Sequence, residues 1–271
     1  PNVALISFVD FARCSQGIAD ASRGHMRIAF LTDIHGNLEA LDAALAAVES
    51  LAVERLVILG DLVGYGPDPV AVVERIGDLV ENGAICIKGN HDHAACTSGA
   101  GMTENARIAI EWTRLQLRGP HLDYLAALPM AVREEDRLYV HASAHKPESW
   151  PYMRSVDAAR KSLDTTDARL TFVGHTHVPA VFHALPGQTP ALFIPQTGVA
   201  MPLSSLRRAV IVSGSVGQPR DGNPAASFSV YDTNERTLTM LRAPYDFTQT
   251  AEKIRRSGLP FWLADRLAIG K

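Results

Sequence analysis

Gly174-His175-Thr176-His177 closes an apolar run, Leu170-Thr171-Phe172-Val173, and sets two imidazoles one residue apart. In an extended segment residues i and i+2 point to the same side, so both rings can face one site. Imidazole is a common ligand of transition metals, and metal binding is therefore the chemistry on offer. Four further apolar runs end in the same way. Leu31-Thr32 leads into Asp33-Ile34-His35-Gly36-Asn37, and Ile58-Leu59 leads into Gly60-Asp61. Ile87-Lys88 leads into Gly89-Asn90-His91-Asp92, and Tyr139-Val140 into His141. Any one of these clusters has a plainer use as a turn or a helix cap. Five of them, all at strand ends, do not.

The donors are oxygen and nitrogen, with no thiolate in any cluster. That argues against a cysteine-rich structural zinc site and suits manganese, iron or zinc. Asp33, His35, Asp61, Asn90, His141, His175 and His177 are too many for one ion. They suit two ions, with Asp61 as a bridging carboxylate. Two such ions, roughly 3.5–4 Å apart, can hold a phosphoryl group, acidify a shared water and stabilise the charge that develops in displacement.

The elements that must position these residues alternate in the first half of the chain. A strand over Ile28–Leu31 precedes a helix whose apolar stripe is Leu38, Leu41, Leu45 and Val48, with Asn37 as its N-cap. Leu56–Leu59 is the next strand. Asp68 as cap and Pro69 at the first helical position open the following helix, which Asn82-Gly83 closes. Ala84–Ile87 is a third strand. This order predicts parallel neighbours with helices on the sheet faces, and ligands then gather outside the carboxyl ends of the strands. Helices are expected over 103–117 and 120–128, and a helical tail from Thr250, broken at Gly258-Leu259-Pro260. Strands over 138–140, 170–173, 209–212, 228–231 and 238–241 lie closer together, so the second half reads as more antiparallel.

At 271 residues and 46% hydrophobic content, one α/β domain with a sizeable core is the simplest reading. A net charge of −3 offers no basic footprint for a nucleic-acid backbone, which excludes a dedicated DNA-binding role. Cys14, Cys86 and Cys96 are unpatterned, pointing to a reducing, cytoplasmic setting. The folded domain is expected to span 26–271. Residues 1–25, whose apolar run Val3–Phe8 is too short for a membrane span, are expected to form a poorly ordered extension.

The series Asp33-Ile34-His35, Gly60-Asp61, Gly89-Asn90-His91-Asp92, His141 and Gly174-His175-Thr176-His177 resembles the calcineurin-like metallophosphoesterases, motif for motif and in order. The resemblance implies a four-layer β-sandwich of two mixed sheets flanked by helices. It also implies hydrolysis of a phosphate ester by direct attack of a metal-bound hydroxide, with two divalent ions, manganese first and iron, zinc or nickel as the other candidates. Position by position, Asp33, His35, Asp61 and His177 would hold one ion, and Asp61, Asn90, His141 and His175 the other. His91 would serve the phosphate and leaving group, as imidazole can near neutral pH. Asp92 would orient His91 or cap a helix.

Two loops resemble a bacterial and archaeal branch of phosphodiesterases and phosphatases: Gly64-Tyr65-Gly66-Pro67-Asp68-Pro69 and Gly214 to Gly222. They make Tyr65 and Arg220 substrate-binding candidates, with Asn37 beside them. Arg220 is a candidate phosphate clamp, because a guanidinium can bind phosphate bidentately. A phosphodiesterase acting on a small phosphate ester is the expected activity. A phosphoprotein or dinucleoside-polyphosphate phosphatase is the alternative within enzymes, and a non-catalytic binding module the alternative outside them.

Overall fold

The structure, a computed structural model, describes residues 26–271 apart from Ser98 and Ala100. The expectation for residues 1–25 lies outside the described residues. The first half contains β1 (Arg27–Leu31), α1 (Leu38–Glu49), β2 (Arg55–Ile58), α2 (Pro69–Glu81), β3 (Ile85–Cys86), α3 (Asn90–Cys96), α4 (Glu104–Gln116), α5 (Gly119–Ala127), β4 (Ala131–Glu134) and β5 (Arg137–Val140). The second contains α6 (Val156–Thr165), β6 (Leu170–Val173), β7 (Ala180–Ala184), β8 (Ala191–Phe193), β9 (Met201–Pro202), β10 (Arg208–Val212), β11 (Ala226–Asp232), β12 (Thr237–Ala243), α7 (Phe247–Ser257) and α8 (Trp262–Asp265).

The strands form two six-stranded mixed sheets, ordered β3-β2-β1-β11-β12-β9 and β4-β5-β6-β10-β7-β8. Alternation along each strand explains the layering. Ile28 and Phe30 of β1 enter the core between the sheets, while Ala29 and Leu31 face the helices α1 and α2. In β10, Ala209 and Ile211 face inward, and Val210 and Val212 pack under α6 with Leu163. The result is helices, sheet, sheet, helix. Phe30 and Phe172 stack across the inner core with centroids 3.8 Å apart, and Tyr139 meets Phe30 edge-on at 5.5 Å. Each of these three aromatics lies two or three residues before a donor: Asp33, His175 and His141 respectively. The stacked aromatic core thus sits directly beneath the polar edge.

β1, β2 and β3 are parallel, as the alternating pattern predicts. The second half is more antiparallel, as its short spacings predict: β7 pairs antiparallel with β8 and β10, and β12 with β9 and β11. The exception is β6, which runs parallel to both β5 and β10. The cause is that β10 inserts between β6 and β7, so strands consecutive in sequence are not neighbours in space. Asn37 caps α1 as expected, accepting from the Ala40 amide. Asp68 does not cap α2 with its side chain; its carboxylate pairs with Lys253 at 2.9 Å instead. Among the described residues no helix is long and apolar enough to cross a membrane.

Candidate metal centre

The carboxyl ends of β1, β2, β3, β5 and β6 meet at one edge of the sandwich, and their loops are tied to one another by main-chain bonds. The Asp33 amide donates to the Gly60 carbonyl at 3.0 Å, His35 to Asp61 at 2.9 Å, and Gly174 to His141 at 2.8 Å. These tight turns come with left-handed backbone at Asp33, His35, Asp61, His175 and His177, with φ between 52° and 65°. Non-glycine residues in that region are uncommon and cost roughly 1–2 kcal/mol each. Such strain persists where the surrounding fold over-determines it, typically at functional sites. The extended geometry expected for His175 and His177 is therefore not the one adopted. Positive φ at both turns the rings toward different groups.

Three triads of donor atoms converge, all buried: Asp33, His35 and His177; His35, Asp61 and His91; and Asp61, His141 and His175. Nε2 of His177 lies 3.2 Å from Asp33 Oδ1, and Nε2 of His141 lies 3.3 Å from Asp61 Oδ2. His35 Nε2 is 3.7 Å from Asp61 Oδ2, which places Asp61 between the two histidine sets. Asn90 joins the second set, its Oδ1 3.2 Å from His141 Nε2.

The tautomers are fixed from behind. Nδ1 of His35, His141 and His177 faces the carbonyls of Val63 (3.1 Å), Leu59 (2.7 Å) and Gln218 (2.6 Å). A carbonyl only accepts, so each Nδ1 carries a proton and each Nε2 is the atom turned inward, as a lone pair wherever the ring is neutral. This leaves His35 Nε2 and His177 Nε2 facing each other at 3.1 Å, lone pair to lone pair. His175 Nε2 is buried without any partner among the described residues. Facing acceptors and a buried ring nitrogen without a partner are unfavourable in a dry interior, and a cation resolves both. The residues present fit divalent metal.

Electrostatics agree. Burial alone would raise the Asp33 and Asp61 carboxyls, but the neighbouring imidazoles, His177 for Asp33 and His141 for Asp61, hold both well below the usual range. Burial pushes His175 down to about 3 and lowers His35 and His177, so these rings are neutral and ready to ligate. Burial would lower His141 too, but Asp61 raises it to about 9. Loading a metal there displaces a proton.

His91, at the start of α3, packs edge-on against His35 at 4.8 Å and tilted against Tyr65 at 4.5 Å. Its Nδ1 has no partner among the described residues, and burial pushes its pKa to about 4. Asp92 makes no hydrogen bond to the ring among the described residues. One Asp92 oxygen accepts from the Asp61 and Gly89 amides, both at 2.9 Å, and the other from Leu62 (2.8 Å) and Val63 (3.3 Å). Burial and then the Asp61 charge push this carboxyl to about 7, against the pull of those amides. The expected role of orienting His91 thus gives way to holding the Asp61 turn, together with the capping of α3.

Arg220 donates to Gln218 Oε1 at 2.7 Å, has a buried Nε without a partner among the described residues, and lies 5.8 Å from the Tyr65 ring. Tyr65 is therefore beside His91 and Arg220, at the mouth of the centre. Asn37 is buried, and its side chain is spent on the Ala40 amide, the Gly217 carbonyl and the Tyr245 hydroxyl.

Sequence reasoning missed three neighbours. Thr32 Oγ1 donates to Asp33 Oδ2 at 2.8 Å. Trp150 meets His141 edge-on at 5.8 Å, and Tyr152 stacks on His175 at 4.2 Å. The available signal was Trp150-Pro151-Tyr152 in an aperiodic connection shortly after a donor.

Gly64 shows how tightly His91 is held. Its φ is +87°, and a Cβ there would meet His91 Nδ1 at 2.3 Å. Gly64→Ala is expected to cost about 1–2 kcal/mol of stability from backbone strain alone. It should also lower kcat by shifting the ring, which unfolding curves and steady-state rates would separate. Unchanged stability and rate would show that the ring has room.

Residues 26–236 match the calcineurin-like phosphoesterase superfamily domain. An uncharacterized protein of Methanocaldococcus jannaschii is 33% identical over 90% of this chain and 98% of its own length. The phosphodiesterase YfcE of Escherichia coli is 27% identical over 83% and 98%. A metallophosphoesterase from Sphaerobacter thermophilus superposes with a TM-score of 0.79 at 37% identity, covering 92% of this chain and 100% of that one. With its buried nitrogen and oxygen donors at the shared sheet edge, the chain belongs to the calcineurin-like phosphoesterase superfamily and is a metal-dependent hydrolase of phosphate esters.

Proposed function

We propose that the chain is a phosphodiesterase working with two divalent ions, manganese first among them. The observation that carries this reading is the place of Asp61 between two histidine sets, 3.7 Å from His35 Nε2 and 3.3 Å from His141 Nε2. Asp33, His35, Asp61 and His177 would hold one ion, and Asp61, Asn90, His141 and His175 the other. When bound, such ions polarise the phosphoryl group, acidify a shared water and neutralise developing charge. The similarity to a protein named phosphodiesterase supports the diester preference. Free thiols at Cys86 and Cys96 fit the cytoplasmic setting read from the sequence.

His91 is the residue left to protonate the leaving oxygen. It is neutral in the substrate-free site, and an anionic phosphate beside it favours the imidazolium that can donate. Arg220, whose Nε has no partner among the described residues, clamps a non-bridging phosphate oxygen, and Tyr65 walls the same side.

Wild-type protein purified with manganese should turn over bis-p-nitrophenyl phosphate faster than p-nitrophenyl phosphate. His91→Ala should cost about 10²-fold or more on a dinucleotide, whose leaving group is an alkoxide that needs a proton. The loss should be far smaller with p-nitrophenolate, which leaves unprotonated. Turnover of the monoester alone would replace the diesterase with a phosphatase. Equal losses on both leaving groups would remove His91 from the acid role.

A further inference from the structure

The four imidazoles of the two proposed metal sites are not held alike. His35, His141 and His177 are each aimed by an Nδ1 bond to a main-chain carbonyl. His175 has no ring hydrogen bond among the described residues, and its Nε2 is buried and partnerless. Its ring is met edge-on by His141 at 5.2 Å and face-on by Tyr152, stacked at 4.2 Å with 20° between planes. The Arg154 guanidinium lies 4.1 Å from the same tyrosine centroid. His175 already covers one face of that ring, so Arg154 must cover the other, giving a three-layer stack of imidazole, phenol and guanidinium.

The connection that carries this stack is built to deliver it. It leaves β5 directly after His141, so one connection supplies both a donor and the residue that steadies its partner donor. Left-handed backbone at Lys146 (φ 50°) and Trp150 (φ 51°) folds it back over the centre. Met153, 3% exposed, plugs into the core under α6 between the outward-facing Tyr152 and Arg154. Tyr152 itself is 46% exposed, so little of its position is explained by burial of its own surface.

We infer that Tyr152, clamped by Arg154, is the positioning residue for His175, doing by stacking what a carbonyl does for the other three rings. The inference rests on the two-ion reading above. Outer partners of metal-bound histidine typically contribute 10–100-fold to metal affinity. Tyr152 touches neither His35 nor His177 in any ring contact of the described residues, so its effect should fall on one ion only.

The test is a manganese titration of metal-free protein, read by electron paramagnetic resonance of free and bound Mn²⁺. Wild type should bind two ions. Tyr152→Ala should bind one ion with wild-type affinity and the other about 10-fold or more weakly, the unaffected ion reporting that the fold is intact. Tyr152→Phe, which keeps the ring, should restore the second ion, and Arg154→Ala should weaken it by a smaller factor. Two ions of unchanged affinity in Tyr152→Ala, equal weakening of both, or a Tyr152→Phe as weak as the alanine variant would each overturn the inference alone. A single ion in wild type would overturn the two-ion reading and this inference with it.

Discussion

Asp61→Ala is expected to lower kcat on a phosphodiester by about three orders of magnitude or more, the equivalent of the several kcal/mol that bound metal supplies. Its two oxygens do different work. Oδ1 accepts from the His91 amide at 2.8 Å, and Oδ2 faces His35 and His141. Removing the side chain therefore takes a negative charge from both histidine sets and loosens the turn that starts α3. Manganese should be lost from both sites together, whereas a change at His175 or His177 should weaken one ion each. Asp61→Asn guards against a trivial result. It keeps an acceptor for the His91 amide and tolerates the left-handed backbone at φ 55°, so it should fold normally and still be inactive. Activity surviving in either variant would sink the dimetal reading.

Asp92→Ala is expected to destabilise the metal-free protein by about 5 kcal/mol, measured as a shift in urea unfolding. Four buried amides, those of Asp61, Leu62, Val63 and Gly89, share this one carboxylate. Leaving a buried donor unsatisfied costs about 1–3 kcal/mol, and values above 4–5 mark the loss of a buried network. The residue is fully buried, so water has no easy route to replace it. A loss below about 1 kcal/mol would mean that the Asp61 turn holds without it.

Much of this was legible in the chain. The β1-α1-β2-α2-β3 half follows from apolar periodicity and caps, because its strands pair with their sequence neighbours. All seven proposed donors lie where apolar runs stop, and the structure brings them to one edge. What stayed hidden has specific causes. α3 begins at Asn90, in residues that read as a turn, because a seven-residue helix carries too little periodicity to announce itself. α6 buries only Ala159, Ser162 and Leu163, a stripe too weakly apolar to see. β10 lies between β6 and β7 through long-range pairing, which no local pattern encodes. The same limit hid Tyr152. Its contact with His175 joins a loop to a turn across the site, and an exposed tyrosine looks like any other surface residue. Of the two roles that the sequence left open for Asp92, the helix cap is the one seen, because one helical step turns the side chains of His91 and Asp92 apart.

The left-handed backbone at Asp33, His35, Asp61, His175 and His177 has an evolutionary consequence. At each of these positions asparagine would relieve local strain, and at Asp33 and Asp61 it would keep an acceptor for the amides of His175 and His91, so chemistry and stability select in opposite directions there. A lineage released from the need to hydrolyse phosphate esters would gain stability by discarding these residues, and the stacked aromatic core beneath them would survive the change. Decay of this enzyme into a mere scaffold would thus be downhill and would begin at its ligands.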